Sequence, residues 1–337
     1  MSSWYCDNAS AKDVVVSTRI RLARNLKDVP FPSKMNDEQR KELKEKVKKA
    51  LCESNTPYAK SLKYIDMENV PQNEIKAMVE RHIISKEFAA NAKAKAIIIS
   101  EDESISIMVG EEDHIRIQVI LGGLKLEEAY DIAERIDTLL HSKLNFAFDS
   151  QLGFLTECPT NLGTGLRASV MLHLPVIESK GEITALSDTV NKIGFTVRGM
   201  YGEGSKPIAS MYQISNQITL GISEKTAIDN LKIITSQLIE KELNAQKQLD
   251  TLKIEDMAYR ALGTLKYCKI ISSEEMMNLL SKIKLGQSLG ILDMDINTIK
   301  LLIEGQPCML MKKYGEMEPY ERDITRADFI REALKNI

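Results

Sequence analysis

The chain has no excess of basic residues: 45 Lys and Arg stand against 48 Asp and Glu, a net charge of −3. Nucleic acid is therefore not its main partner, because phosphate-backbone binders carry a surplus of cations. Cysteine is sparse and unpatterned. An odd number, Cys6, Cys52, Cys158, Cys268 and Cys308, gives neither a disulfide framework nor a zinc spacing, and a reducing cytoplasm fits best. His82, His114, His141 and His173 show no paired metal spacing either, so no structural metal is expected. No apolar run approaches the ~18 residues of a membrane helix, and Met1-Ser2-Ser3-Trp4-Tyr5-Cys6 has no basic stretch leading into an apolar one. Neither a membrane nor export by a classical signal is expected. Two enzyme signatures are also missing: a Gly-x-x-x-x-Gly-Lys-Ser/Thr loop, and a His-Arg-Asp and Asp-Phe-Gly pair. That disfavours a P-loop enzyme and an ordinary protein kinase. Internal repeats and low-complexity tracts are absent as well.

What is present is an ordinary globular composition, 43% hydrophobic and 28% charged over 337 residues, with room for two domains. Val14 to Leu22 reads as a strand whose period-2 alternation puts Ser17, Arg19 and Arg21 on one face and Val14, Val16, Ile20 and Leu22 on the core face. Asn36 to Glu53 and Gln72 to Ala90 read as helices. Lys95 to Ser100 and Ser104 to Val109 read as a hairpin, and His114 to Ile120 as a further strand with Arg116 and Gln118 opposite Ile115, Ile117 and Val119. Leu126 to Leu144 is helical, and Arg167 to Leu174, Gly194 to Arg198 and Ala209 to Ile214 are short strands. The expected architecture is α+β, an antiparallel sheet with helices packed on it over residues 14–245, followed by an all-helical region over residues 246–337.

The chemistry concentrates in a few places. Cys158-Pro-Thr-Asn-Leu-Gly-Thr-Gly-Leu-Arg167-Ala-Ser-Val170 is preceded by Ser17, Arg19 and Arg21, and by Glu111-Glu112-Asp113-His114-Ile115-Arg116. Arg198-Gly199-Met200-Tyr201-Gly202-Glu203 follows it. Phosphoryl transfer needs positioning and positive charge on the phosphate oxygens, which the planar, permanently charged fork of arginine supplies. A guanidinium acceptor, in turn, cannot attack phosphorus until a carboxylate fixes its plane and takes a proton. Glu111 and Asp113, read alone, are no more than a solvated acidic turn. Cys158 would be a stabilised thiolate if it sat near several arginines.

In this order the motifs resemble those of the ATP:guanido phosphotransferases, the creatine and arginine kinase family, from about Val14 to Glu224. The resemblance implies MgATP as donor, with a nucleotide set of Ser17, Thr18, Arg19, Ile20 and Arg21; His82; Arg116; Arg167, Ala168, Ser169, Val170 and Met171; and Arg198, Gly199, Met200, Tyr201, Gly202 and Glu203. It also implies Glu112 and Glu203 as the catalytic carboxylates, Glu112 being the better candidate for the base, and Cys158 as a residue touching the guanidino group. Members acting on creatine or free arginine carry a helical domain ahead of the first arginine strand. Here that strand begins at Val14, so the domain is expected to be absent and the acceptor site open to an arginine on a polypeptide.

The helical C-terminal region resembles that of the protein-arginine kinases within the family. That likeness implies Nω-phosphoarginine as product, proteins with accessible arginines as substrates, and a bacterial stress and protein-quality-control role in the cytoplasm. It further implies an McsA-type activator, a ClpC-type unfoldase, a CtsR-type repressor and a homodimer formed through the helical region. Arg322-Asp323-Ile324-Thr325-Arg326-Ala327 reads structurally as Thr325 capping the last helix with Asp328 at its third position. By resemblance Arg322, Asp323 and Arg326 form an allosteric phosphoarginine site. Two alternatives share much of this sequence: a kinase for a small free guanidine, and a non-catalytic adaptor that binds phosphoarginine proteins.

Overall fold

A computed structural model describes residues 3–6, 14–53, 56, 60–200 and 207–335. Its centre is an eight-stranded antiparallel sheet. The strands are β1 (Val15–Arg24), β2 (Leu62–Asp66), β3 (Ala96–Ser100), β4 (Ile105–Val109), β5 (Ile115–Gly122), β8 (Leu166–His173), β9 (Phe195–Gly199) and β10 (Met211–Asn216). β6 (Phe148–Asp149) and β7 (Gly153–Phe154) form a separate small hairpin. The spatial order is β2-β3-β4-β5-β1-β8-β10-β9, so β1 lies in the middle between β5 and β8.

One face of the sheet buries Ile20, Leu22, Ile107, Ile117, Val119, Ala168, Val170 and Ile214 in the main core. Helices Asp37–Cys52, Leu126–His141 and Glu224–Gln246 cover it. The first of these starts as the sequence predicts, at Asn36, whose side chain accepts from Gln39 N at 2.9 Å in a capping box. The opposite face carries two apolar patches separated by a polar gap. One packs Ile97, Ile99 and Met108 under Ile75, Met78 and Phe88; the other packs Val16, Ile120 and Met211 under the C-terminal helices.

Three local expectations are corrected. The stretch from Gln72 to Ala90 is two helices, Gln72–Glu80 and Lys86–Ala90. His82 adopts φ 61° between them, and Ser85 starts the second by accepting from Phe88 N at 3.0 Å. Val16 is not on the main-core face, because the β1–β8 register shifts between Val15 and Ser17, and this irregularity turns Val16 to the other side. The last helix is Pro319–Ala333, with Glu318 as N-cap paired to Glu321, so Thr325 lies mid-helix and caps nothing. Pro319 at the first helical position and the Glu318–Glu321 box are the stronger start signal.

The C-terminal helices are docked on the sheet by apolar packing and on helix Gln72–Glu80 by charge. Glu80 accepts from Cys308 N at 3.0 Å and Met309 N at 2.8 Å, capping helix Pro307–Tyr314 from the outside. Burial holds the Glu80 carboxyl above its usual range in spite of those bonds. Arg81, itself buried, pairs with Glu74 at 2.9 Å and Glu103 at 3.0 Å.

Candidate functional site

The polar gap on the sheet is a cleft of about 1500 Å³, counting its open mouth. Cross-strand register builds it. Arg21 stands directly opposite Arg167 on β8 and Gln118 on β5, Arg19 opposite Ser169, and Gln213 of β10 opposite Arg198 of β9. Directly opposed residues share a face, so arginines far apart in sequence converge, and Arg19, Arg21, Arg116, Arg167 and Arg198 all line this one cleft. The crowding has an electrostatic signature. Burial first, then repulsion from Arg167, Arg116 and Arg198, pushes the Arg19 guanidinium down to about 10. Arg21 is lowered further, by burial and by Arg116 and Arg19. Guanidinium groups do not give up their protons at neutral pH. The physical meaning is a concentrated positive potential that a polyanion would relieve.

The acids sit at one end. Arg116, with its side chain 6% exposed, pairs with Glu111, with Glu112 at 2.7 Å and with Asp113 at 3.6 Å. Glu111 and Asp113 are buried, which corrects the reading of both as solvated. Glu111 also accepts from the Ser85 hydroxyl, and Arg116 is the main reason its carboxyl is held low against the opposing effect of burial. Asp113 accepts from Asn25 Nδ2 at 2.8 Å and Glu157 N at 3.0 Å, tying β1 to the segment that leads into Cys158. Only Glu112 reaches outward, its side chain 44% exposed. Asn161 Nδ2 lies 3.4 Å from it.

Cys158 lies at the same end, its Sγ 3.0 Å from Thr160 Oγ1, and both residues line the cleft. The glycine turn behind them serves close packing: a Cβ at Gly163 would strike Thr219 O, and one at Gly165 would come within 2.6 Å of Ala23 O. Arg24, overlooked in the sequence reading, holds this turn from below. It pairs with Asp137 at 2.8 Å, donates to Thr164 O at 3.0 Å and lies 3.6 Å over the Phe154 ring. Its place at the end of the Ser-x-Arg-x-Arg strand was the available signal.

Of the remaining expected nucleotide residues, Met200 lines the cleft, and Ser17, Ser169 and Met171 line an adjoining apolar pocket that Arg19 and His82 share with it. Thr18, Ile20, Ala168 and Val170 are on the other face of the sheet, because strand side chains alternate. Ile20, Ala168 and Val170 are in the main core, and Thr18 donates to Gly123 O at 2.7 Å. Gly199 is buried, paired with Tyr212. Tyr201, Gly202 and Glu203 lie outside the described residues.

His114 and His173 are buried, and His82 is half-buried with its Nε2 enclosed. Desolvation, reinforced by Arg19 and Lys86, pushes His82 down to about 3; burial also lowers His114 and takes His173 well below the usual range. In the unfolded chain each would titrate near ~6.5. The unfolded state therefore binds more protons below that value, and folding stability falls as pH drops through it. Urea unfolding between about pH 7.5 and 5 is expected to show a falling midpoint, with uptake of up to about three protons from these groups. A flat profile would contradict three imidazoles held neutral in the folded chain.

Residues 42–245 match the model of the ATP:guanido phosphotransferase C-terminal catalytic domain, which is more than half of the chain. The chain belongs to the ATP:guanido phosphotransferase family. Residues 251–337 match the model of the protein-arginine kinase McsB C-terminal domain. The chain is 45% identical over 328 residues to a protein-arginine kinase of Caldanaerobacter subterraneus subsp. tengcongensis, covering 96% of this chain and 97% of that one. To a protein-arginine kinase of Clostridium kluyveri it is 46% identical over 329 residues, covering 95% and 94%. A solved structure of lombricine kinase matches with a TM-score of 0.61 at 23% identity, over 74% of this chain and 73% of that one. At that identity the likeness speaks for the fold. No helix among the described residues is long and apolar enough to cross a membrane.

In this family member the three residues singled out near the C-terminus differ sharply in setting. Arg326 is 1% exposed and turned inward, donating to Gly305 O and Ile271 O at 2.8 Å each and pairing with Asp323. The inward turn leaves Arg326 tying three segments together rather than facing a ligand. Arg322 is half-buried, and its Nε is buried without a hydrogen-bond partner. The Asp323 side chain keeps 34% of its surface exposed. Arg326→Met should therefore cost roughly 3 kcal/mol of stability, from the loss of charged hydrogen bonds to two carbonyls, whereas Arg322→Met should leave the urea midpoint close to wild type. Equal midpoints for the two variants would contradict this division.

Proposed function

We propose that this guanido phosphotransferase transfers the γ-phosphoryl group of MgATP to arginine side chains of proteins, giving Nω-phosphoarginine and ADP. The observation that carries the reading is one cleft holding five arginines with Glu112 and Cys158 at one end, in a chain alike over nearly its whole length to proteins named protein-arginine kinase. The arginines bind the phosphates and neutralise charge on the transferring group. At the other end Glu112 orients the acceptor guanidinium and takes its proton as the nitrogen attacks. The new N–P bond forms as the bond from the γ-phosphorus to the bridging oxygen breaks, and ADP carries away the electron pair. Glu203 is the second acid, assigned from sequence, and Cys158 contacts the guanidinium.

A magnesium ion in such a site would be held chiefly by phosphate oxygens and water. Such an ion shields phosphate charge when bound. Arg322 and Asp323 are the proposed phosphoarginine receptor: a buried guanidinium nitrogen without a partner and a partly exposed carboxylate complement a phosphate and a guanidinium. Homodimerisation through the helical region, an McsA-type activator, delivery of products to a ClpC-type unfoldase, a CtsR-type repressor among the substrates and a cytoplasmic setting belong to the same proposal and rest on family likeness.

The test is incubation with MgATP and casein under mild, non-acidic conditions, followed by mass spectrometry for phosphoarginine. Casein should be labelled far faster than free arginine at equal concentration. Faster labelling of free arginine would replace the proposal with a small-guanidine kinase.

A further inference from the structure

Beyond Glu112 and Cys158 lies a recess of about 740 Å³, counting its open mouth. Both residues line the arginine cleft as well, so they stand at the boundary between the two spaces. With the nucleotide phosphates among the arginines, an acceptor guanidinium at Glu112 leaves the rest of its residue on the recess side. The far walls are Arg40 on helix Asp37–Cys52, the Pro32–Ser33 peptide and Glu157, which immediately precedes Cys158.

Phosphoryl transfer as described uses neither Arg40 nor Glu157. Both are half-buried, and neither has an oppositely charged partner among the described residues. Their positions are nevertheless fixed. Glu157 N donates to Asp113 Oδ1 at 3.0 Å, which ties it to the carboxylates around Arg116, and the Arg40 helix buries Leu43, Val47 and Leu51 in the main core. Between them the two already hold one peptide unit: the Pro32 carbonyl accepts from Arg40, and the adjoining Ser33 N–H donates to Glu157 at a long 3.4 Å. A guanidinium has five N–H donors and a carboxylate about four acceptor sites, so each keeps capacity for more bonds of the same kind.

We propose that this recess receives the main chain of the polypeptide that carries the acceptor arginine, with Arg40 donating to a substrate carbonyl and Glu157 accepting from a substrate N–H. The two are specificity-determining residues for polypeptide acceptors. The inference rests on protein arginine as the acceptor. Every residue of a main chain offers one carbonyl and, proline apart, one N–H, so these contacts suit substrates of many sequences. Because one partner in each is ionised, they are stronger than neutral hydrogen bonds. The carboxylate and ammonium of free arginine share this chemistry, and a series of acceptors separates the two sources.

Initial rates with MgATP are measured for three acceptors: an acetylated and amidated alanine-arginine-alanine tripeptide, free arginine, and butylguanidine, which has a guanidinium and an aliphatic stem but no main chain. The wild type should prefer the tripeptide to both others. Arg40→Ala and Glu157→Ala should each raise KM for the tripeptide by about tenfold or more, with kcat within about threefold and with butylguanidine kcat/KM and MgADP affinity within about twofold. Overturning results are an unchanged tripeptide KM in the folded variants, an equal loss for butylguanidine, or a wild type that prefers free arginine and loses that preference in the variants, which would make the recess an amino-acid site. Arg40 and Glu157 lie on separate segments, so either variant carries the test if the other does not fold. A wild type that labels casein but not the tripeptide would also overturn the proposal, since contacts next to the arginine would then not suffice. Failure to label any of these, casein included, would instead sink the protein-arginine reading underneath.

Discussion

Glu112→Gln should lower phosphoryl transfer by about 10² to 10⁴ while MgADP affinity stays within about tenfold. The glutamine keeps the shape of the side chain and can still hydrogen-bond. It cannot accept the guanidinium proton, without whose loss the nitrogen lone pair stays delocalised. Geometry separates Glu112 from its neighbours. Glu111 and Asp113 are enclosed, but the Glu112 side chain is 44% exposed at the cleft, 2.7 Å from Arg116. Initial rates of protein labelling, with nucleotide binding measured on the same preparation, decide the matter. Turnover near wild type would remove Glu112 from the mechanism.

Arg116→Met should both unfold the protein more easily, by about 3–5 kcal/mol, and abolish transfer. Its guanidinium stands among three carboxylates whose side chains are 2%, 44% and 0% exposed, for Glu111, Glu112 and Asp113. Those three partners hold the Arg116 pKa above its ordinary value despite the opposing effect of burial. Removing the cation strands Glu111 as a buried charge without its ion pair, left with the Ser85 hydroxyl and the more distant Arg21. Adding Glu111→Gln to Arg116→Met should return part of the stability, because the stranded charge is gone, yet no activity, because the phosphate contact is still missing. Denaturant unfolding of the single and double variants tests the first claim and labelling rates the second. A single variant as stable as wild type would show that the carboxylates do not depend on Arg116.

Residues close in sequence carried most of what could be read without coordinates. The β1 alternation that aligns Ser17, Arg19 and Arg21, the Asn36 cap and each arginine or glutamate motif taken singly depend on neighbours within a few positions. Period and side-chain chemistry act at that range, so the α+β architecture, the family and the five cleft arginines were legible there. The split at His82 was not, since a left-handed backbone at a histidine is stabilised by what surrounds it. Nor was the inward turn of Val16, which depends on a shift in pairing with β8. Cross-strand register alone set Arg21 opposite Arg167 and Gln213 opposite Arg198, and long-range enclosure alone made Glu111 and Asp113 buried partners of Arg116. The meeting of Trp4 with helix Thr298–Glu304 over one pocket joins segments almost three hundred residues apart. Contacts of that separation are fixed by the shared burial of apolar surface once the sheet has formed, and no local pattern in the chain encodes them.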